Sequence, residues 1–123
     1  LCVLGVDPFG DYLDEAVRGE SVGEHPVLVR RPRDTENARE CHILFVSESE
    51  SSRMRPTLSS LDDLPILTVS DVEDFVRLGG VVQFFTQEDR IRLRINAGAA
   101  RDAGLSISSK LLNLAEVVQR GGS

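Results

Sequence analysis

The sequence predicts an α/β domain with a mostly parallel sheet, and three observations carry this prediction. Short apolar runs recur at residues 1–6, 27–30, 41–46 and 66–69. Segments with helix-start signals separate several of them, as expected where helices connect parallel strands. Later, two further runs face each other across a short polar connection, which is typical of a hairpin. We therefore expect a Rossmann-like or flavodoxin-like sheet with a closing β-hairpin and helices on both faces.

Residues 1–19 predict a strand, a tight turn and a helix. The run LCVLGV is apolar, and Asp7 after it is placed to cap a helix. Pro8 then occupies the first helical position, where its missing N–H costs nothing. Gly19 ends the helical pattern. The apolar face of this helix is expected to consist of Phe9, Tyr12, Leu13, Ala16 and Val17.

Residues 27–61 predict two more strands and a helix. Residues 27–30 are brief and β-branched, whereas residues 41–46 have the continuous apolar core of a strand covered on both faces. The polar residues 31–40 form a loop or a short surface helix. Serines and acids after the third strand cap the next helix. The buried positions of that helix are expected to be Met54, Leu58 and Leu61.

A fourth strand at residues 66–69 leads into a second helix signal. Ser70 and Glu73 match a capping box, which places Ser at the cap and Glu three residues on. The short helix that follows is expected to end at the glycine pair 79–80. Its apolar positions are Phe75, Val76 and Leu78.

The closing hairpin and two helices complete the chain. Residues 81–85 and 91–95 are the hairpin strands, and residues 86–90 connect them. Asn96 is a natural cap for a helix at 97–103, which Gly104 terminates. Ser108 and Ser109 are interpreted as caps of a last helix. The apolar stripe of that helix is Leu111, Leu112, Ala115 and Val118.

Length and composition limit which classes of function are possible. The 123 residues fit one domain, residues 1–123, and 41% hydrophobic with 28% charged residues is ordinary for a folded chain. A net charge of −6 argues against binding nucleic acid, and the arginine-rich residues 30–33 are interpreted as a solvated turn. No apolar run reaches the roughly 18 residues of a membrane span. The chain shows no signal peptide and begins inside a predicted strand, so we expect an N-terminal part to have been removed.

The chain has two cysteines, Cys2 and Cys41, which are too few for a cysteine-only zinc site. Counting alone favours two buried free thiols. In a sheet whose order begins 2-1-3, however, the first and third strands are neighbours, and a strand spacing of ~4.8 Å permits a disulfide between them. Such a bridge requires an oxidising compartment. On these grounds both interpretations stay open.

No catalytic motif stands out. Asp7 follows the first strand, where a receiver domain holds metal ligands, but Ser47 stands where the acidic phosphoacceptor belongs. His25 and His42 have no evident acidic partner or metal spacing, and Lys110 follows a serine whose side chain points in a different direction on a helix. We expect these residues to be structural and the protein to be no enzyme, with no metal and no cofactor.

The remaining candidate site is the crevice at the carboxyl ends of the parallel strands. Open α/β sheets bind ligands there by default, and helix N-termini at that edge present free N–H groups to an anion. The predicted rim consists of Asp7, Pro8, Phe9, Gly10, Ser47, Glu48 and Ser49.

Four segments of the chain closely resemble the YfiR family of bacterial periplasmic proteins. They read CVLGVDPFGDYLDEAVRG, CHILFVSESES, PILTVSDVEDFVRLGGVVQFF and RIRLRINAGAARDAGLSISSKLLNLA. The resemblance extends over residues 1–118. Its most specific part is the closing block, which includes Asn96, Gly104 and the serine pair 108–109.

The resemblance implies an exported, non-catalytic domain of Rossmann-like fold. The founding member represses an inner-membrane diguanylate cyclase by binding its periplasmic part, redox state and disulfides tune that repression, and members often dimerise. The resemblance also supports a bridge between Cys2 and Cys41. The second cysteine pair of the family is absent here, and so are the helix and the aromatic segment that usually precede the first strand.

Two hypotheses for function follow. The first is a periplasmic regulatory protein that binds the periplasmic domain of a membrane-bound diguanylate cyclase and so acts in cyclic-di-GMP signalling. The second is a small-ligand sensor that binds its ligand in the strand-end crevice and passes the signal to a partner.

Overall fold

The computed structural model describes residues 1–22, 24–61 and 64–105 and a strand at 116–118. The strands in this part of the chain are Cys2–Leu4 (β1), Ser21–Val22 (β2), His25–Pro26 (β3), Ile43–Val46 (β4), Leu67–Ser70 (β5), Val82–Gln87 (β6), Arg90–Asn96 (β7) and Glu116–Val118 (β8). Its α-helices are Asp11–Val17 (α1), Thr35–Ala38 (α2), Met54–Ser60 (α3) and Ala97–Asp102 (α4). A 3-10 helix, Glu48–Arg53, runs directly into α3.

The main sheet has six strands in the order β1-β4-β5-β6-β7-β8. The strands β1, β4, β5 and β6 pair in parallel, β7 returns antiparallel to β6, and β8 pairs in parallel with β7. The predicted mostly parallel sheet with a closing hairpin is therefore confirmed. The first and third predicted strands, now β1 and β4, are neighbours as expected.

Alternate residues of the strands are buried in two cores, one on each face of the sheet. One core contains Leu4, Leu44 and Val46 of the strands and residues of α2 and α3. The other packs Val82 and Ile95 against α4. Because helices cover both faces, each parallel strand can be apolar on both sides, which is the pattern that predicted this fold class.

The second predicted strand, residues 27–30, is largely wrong. Only Arg30 makes a bridge, a parallel pairing with Cys2. The N–H of Arg30 donates to the carbonyl of Leu1 at 2.9 Å, and the N–H of Val3 donates to the carbonyl of Arg30 at 3.0 Å. Leu28 is 59% exposed, so this segment gains little apolar burial from joining the sheet. It lies beside β1 as predicted, but as a contact at one residue.

The first helix is shorter and more exposed than the sequence predicts. It begins at Asp11, after Gly10, and its N-cap has no side-chain hydrogen bond. Asp7 closes a local turn with Phe9 instead, so its predicted cap role at this helix is wrong. None of the residues of α1 is buried, and Tyr12 is 84% exposed. The apolar spacing was present, but the residues of this helix stay exposed or half-buried.

Residues 71–79 form turns, so the helix expected after the capping box is wrong. The Ser70 hydroxyl donates to the carbonyl of Val46 at 2.6 Å and accepts from the N–H of Val72 at 3.1 Å. Asp74 has a φ of 66°, which a helix cannot include. Phe75 is fully buried and lies against Gly80, where an added Cβ would come within 2.2 Å of its ring. Burial of this ring decides the path of the backbone.

Several local predictions in other segments are confirmed. Met54, Leu58 and Leu61 are buried. The Asn96 side chain accepts from the N–H of Ala99 at 3.0 Å as the cap of α4, and Gly104 has a φ of 75° just after its end. The apolar end of that helix packs with Leu105.

The hairpin connection and the chain end differ from the prediction. The turn between β6 and β7 has two residues, Glu88 and Asp89, with φ of 52° and 62°, where a five-residue connection was expected. Val118 belongs to β8 and so cannot be part of the predicted last helix. The other predicted members of that helix and its caps, Leu111, Leu112, Ala115, Ser108 and Ser109, lie outside the described residues. No helix in the described part of the chain has the length and apolar character needed to cross a membrane.

Candidate functional site

The predicted crevice residues lie in two loops at the carboxyl ends of neighbouring strands. Residues 7–10 follow β1, and residues 47–49 follow β4. Because β1 and β4 are parallel, both loops lie at the same edge of the sheet. The N–H of Val6 donates to the Ser49 hydroxyl at 2.9 Å, which joins the two loops. The structure thus brings the two halves of the predicted rim together.

Asp7 binds groups within its own loop and on the neighbouring segment. Its Oδ1 accepts from the N–H of Phe9 at 2.7 Å, and its Oδ2 accepts from Nε of Arg31 at 2.7 Å. The guanidinium of Arg31 also donates to Asp14 at 2.8 Å and to the carbonyl of Gly10 at 3.2 Å. The Phe9 amide and then Arg31 hold the pKa of Asp7 below its usual value, and Arg31 lowers the pKa of Asp14. Asp7 thus ties the loop after β1 to Arg31, and Asp14 ties α1 to the same guanidinium.

The serine hydroxyl groups after β4 are also engaged within the protein. Ser47 is buried, its Oγ accepts from the N–H of Ser49 at 3.4 Å, and the two hydroxyl oxygens are 3.5 Å apart. Gly5 has a φ of 95°, and a Cβ at this position would lie 2.5 Å from the Ser49 Oγ. Glycine therefore lets the loop after β1 approach the serines closely. Glu48, between them, is exposed.

An open groove lies one strand further along the same edge, over the end of β5. Its volume is about 700 Å³. Of the predicted rim, only Pro8 and Phe9 line it. Its other lining residues are Phe45, Asp71, Glu73, Gln83, Phe84, Phe85, Thr86, Ile91 and Arg94. We call this site the β5 groove.

Unequal strand lengths create the β5 groove. The last residue of β5, Ser70, pairs with Gln83, whereas β6 continues to Gln87. The hairpin therefore projects beyond the end of β5. On the other side, Phe9 and Phe45 meet edge to face with ring centroids 4.9 Å apart, and they form the opposite wall.

The β5 groove combines aromatic walls with a few charged groups. The Arg94 guanidinium lies over the Phe85 ring, 4.1 Å from its centroid, in a cation–π contact. Asp71 and Glu73 stand exposed at the inner end, where β5 stops. Apolar walls with a few polar groups are typical of ligand-binding pockets.

The sequence identified the hairpin but missed its part in the site. The apolar run at residues 81–85 and the period-2 pattern at residues 91–95 each marked a strand of five residues, and the run at residues 66–69 was shorter by one. That difference in length was the available signal. It becomes informative only once β5 and β6 are known to be neighbours, which no local pattern states.

Nowhere in residues 1–22, 24–61, 64–105 and 116–118 do three or more His, Cys, Asp or Glu side chains form a group that could hold a metal ion. His25 and His42 are both exposed. Lys110 and the serines before it lie outside the described residues.

Cys2 and Cys41 form a disulfide with a Cα–Cα distance of 6.1 Å. Both residues are buried, and the alternative of two free thiols is wrong. The bridge joins the start of β1 to the segment just before β4. It therefore lies at the amino ends of these strands, and the β5 groove lies at the opposite edge of the sheet.

The comparison with known protein families gives one match. The sequence model of the family described as YfiR/HmsC-like matches residues 1–116. No curated protein matches the chain.

Proposed function

Because this chain belongs to the YfiR/HmsC-like family, we propose that it is a non-catalytic periplasmic regulatory domain. Its role in this proposal is to bind the periplasmic part of a membrane-bound diguanylate cyclase and restrain cyclic-di-GMP synthesis. The observation that carries the proposal is the family match, which extends over residues 1–116. The resemblance noted in the sequence supplies the partner class.

The described groups at the strand-end edge support binding rather than catalysis. The Asp7 carboxylate is held by Arg31, and the hydroxyl groups of Ser47 and Ser49 are held by each other and by the loop amides. Ser70 donates its hydroxyl to a buried carbonyl. A nucleophile needs a nearby base and an accessible reacting atom. Each of these four side chains is instead committed to a structural contact.

The disulfide supports an oxidising location. Structural disulfides persist in the periplasm and outside the cell, and they are rare in the reducing cytosol. The Cys2–Cys41 bridge closes a sequence separation of 39 residues and is buried in the core, as expected of a permanent cross-link. A periplasmic location agrees with this observation.

A binding measurement with the cyclase tests the proposal. The periplasmic domain of the cognate cyclase is immobilised, and the oxidised full chain is passed over it in biolayer interferometry. We expect saturable binding, and we expect export of the chain in cells that carry the cyclase to lower their cyclic-di-GMP content. An export-deficient version is the control. Absence of binding together with unchanged cyclic-di-GMP would refute the proposal.

The volume of the β5 groove favours a second candidate, a small-ligand sensor. Pockets for small molecules usually measure roughly 300–1,000 Å³, and the groove of about 700 Å³ lies within that range. A ligand at 100 times its Kd should add ~2.7 kcal/mol to the unfolding free energy. A thermal-shift screen of amino acids, nucleotides and vitamins measures this, and Phe45→Asp should abolish any shift that arises in the groove.

The homodimer that the resemblance implies stays a prediction. Sedimentation equilibrium of the oxidised chain over a hundredfold concentration range tests it, because a reversible dimer shows an apparent mass that rises with concentration.

A further inference from the structure

Among the described residues, the β5 groove contains an open stretch of strand edge. β5 pairs with β6 at Val69↔Val82 and Ser70↔Gln83 and then ends, whereas β6 continues for residues 84–87. These residues cover ~13 Å of strand. Their other side is paired with β7 as far as Gln87↔Arg90. The side toward β5 faces the groove.

The two-residue turn determines which backbone groups face the groove. With Glu88 and Asp89 both at positive φ, the flanking pair Gln87↔Arg90 is the hydrogen-bonded kind. Hydrogen-bonded and non-hydrogen-bonded pairs alternate along an antiparallel ladder. Thr86 is in the second class, so its N–H and C=O point away from β7 and into the groove. An open edge of this kind is a template for another strand.

The space beside this edge begins where β5 stops. β4 ends at Val46, one residue after its Phe45↔Val69 pair, so within the described residues no strand flanks this space on the β4 side. Phe9 and Phe45 bound the far side. An extended peptide that pairs with β6 would therefore occupy the path that β5 leaves empty.

At this position the two faces of the sheet favour different side chains in a bound strand. By the strand register, Phe45 and Phe84 lie on one face, and Phe85 and Arg94 lie on the other. An added strand presents alternate residues to the two faces. Apolar residues fit between the phenylalanines of the first face. On the second face Phe85 pairs with Arg92 of β7, whose exposed guanidinium favours a carboxylate.

The arginines of β7 strengthen the preference for acidic side chains. Arg90 and Arg92 share the face of Arg94, because they alternate along β7, and both are exposed. Within the described residues neither takes part in an ion pair, although the chain as a whole has a net charge of −6. Asp71 and Glu73 would repel an acidic side chain at the inner end of the groove. The acidic residues of a bound segment are therefore expected in the outer half of the groove.

We propose that the β5 groove accepts an extended segment of a partner protein, in which apolar and acidic residues alternate, and that this segment adds to the edge of β6 as a further strand. The inference rests on the proposed function, since it names the part of the surface through which the regulator holds its partner. Strand addition supplies affinity through the backbone, and the alternating side chains supply selectivity.

Synthetic peptides test the strand-accepting edge directly. The probe is a dye-labelled, capped Val-Glu-Val-Glu-Val-Glu peptide, compared with Val-Lys-Val-Lys-Val-Lys and with the acidic peptide N-methylated at alternate residues. By fluorescence anisotropy on the oxidised full chain, we expect the acidic peptide to bind at least tenfold more tightly than the other two. Hydrogen exchange at Thr86 should slow when it binds. Equal binding of the N-methylated peptide, or of the lysine peptide, would overturn the proposal.

Charge reversal on the hairpin provides the matched variants. Arg90→Glu with Arg92→Glu should weaken the acidic peptide at least tenfold, and Arg94 stays in place on its ring. Arg33→Glu with Arg55→Glu makes the same change in net charge at exposed positions elsewhere and should change binding less than twofold. An equal loss of affinity in both variants would show that overall charge alone attracts the peptide, and it would refute the proposal.

The same variants separate this inference from the proposed function. If the cyclase domain binds the wild-type chain and the hairpin variant equally well, the groove is not the contact, and only the inference fails. If the cyclase domain binds neither the wild-type chain nor the hairpin variant while the peptides bind as expected, the strand-accepting edge is supported and the proposed partner is wrong. If the hairpin variant instead dissociates a dimer of this chain, the occupant is a second copy, and the assignment to a partner protein fails.

Discussion

Removal of the Cys2–Cys41 disulfide should cost a large part of the stability of this protein. The bridge closes a loop with a sequence separation of 39 residues. On the chain-entropy model a loop of this length removes ~13 cal/mol/K from the unfolded chain, which is about 3.9 kcal/mol at 25 °C. We expect Cys2→Ala with Cys41→Ala to lower the free energy of unfolding by about that amount.

Urea unfolding followed by far-ultraviolet circular dichroism measures the loss. With an m-value of ~2 kcal/mol/M, the midpoint should fall by about 2 M. Reduced wild-type protein is the matched control, because it opens the same loop and keeps both sulfur atoms in the core. Reducing agent should leave the midpoint of the double variant unchanged. A loss below ~1 kcal/mol in both the variant and the reduced wild type would refute the loop-entropy argument.

Three further predictions test the packing and the charged loop. Gly80→Ala should lower the unfolding free energy by about 1–3 kcal/mol in urea, because the new Cβ would lie 2.2 Å from the Phe75 ring; an unchanged midpoint would mean that the ring yields freely. Asn96→Ala should cost about 1–3 kcal/mol, since it removes the cap of α4 and a buried bond of 2.8 Å to a carbonyl, and Asn96→Ser, which keeps an uncharged cap acceptor but not the buried bond, should lose less. Asp7 has a folded pKa below its ordinary 3.8, so its contribution is present above that value and is lost as the pH falls through the folded pKa. The urea midpoint of wild type should therefore drop more between pH 6 and pH 3 than that of Arg31→Met, and equal drops would contradict the assigned ion pair.

Local chemistry explains most of the predictions that are confirmed. The cap at Asn96 and the terminator at Gly104 act within a few residues of their own positions, so the sequence displays them fully. The buried spacing of Met54, Leu58 and Leu61 is similarly a property of one helix. The disulfide needed one further assumption, the adjacency of the first and third strands, which is a general rule of doubly wound sheets.

The wrong predictions have a common cause in contacts between distant residues. The apolar face of α1 had the right spacing, but its residues stay exposed or half-buried, and spacing alone cannot supply a partner element. The capping box at Ser70 was plausible locally, but the Ser70 hydroxyl is used by the carbonyl of Val46 on the neighbouring strand. Burial of Phe75 against Gly80 then imposes turns where the sequence suggested a helix.

The candidate site shows the same division. The sequence by itself determined the α/β class, the hairpin and the cap at Asn96, because each follows from periodicity, from local hydrogen bonding or from rules common to such sheets. By the same rules it predicts a ligand at the carboxyl-end edge of the sheet. Only the tertiary structure decided that the predicted rim residues Asp7, Ser47 and Ser49 form hydrogen bonds with other groups of the protein. It also decided that the open groove lies over β5, since a gap arises from the unequal lengths of two paired strands, and pairing joins residues that no local pattern connects.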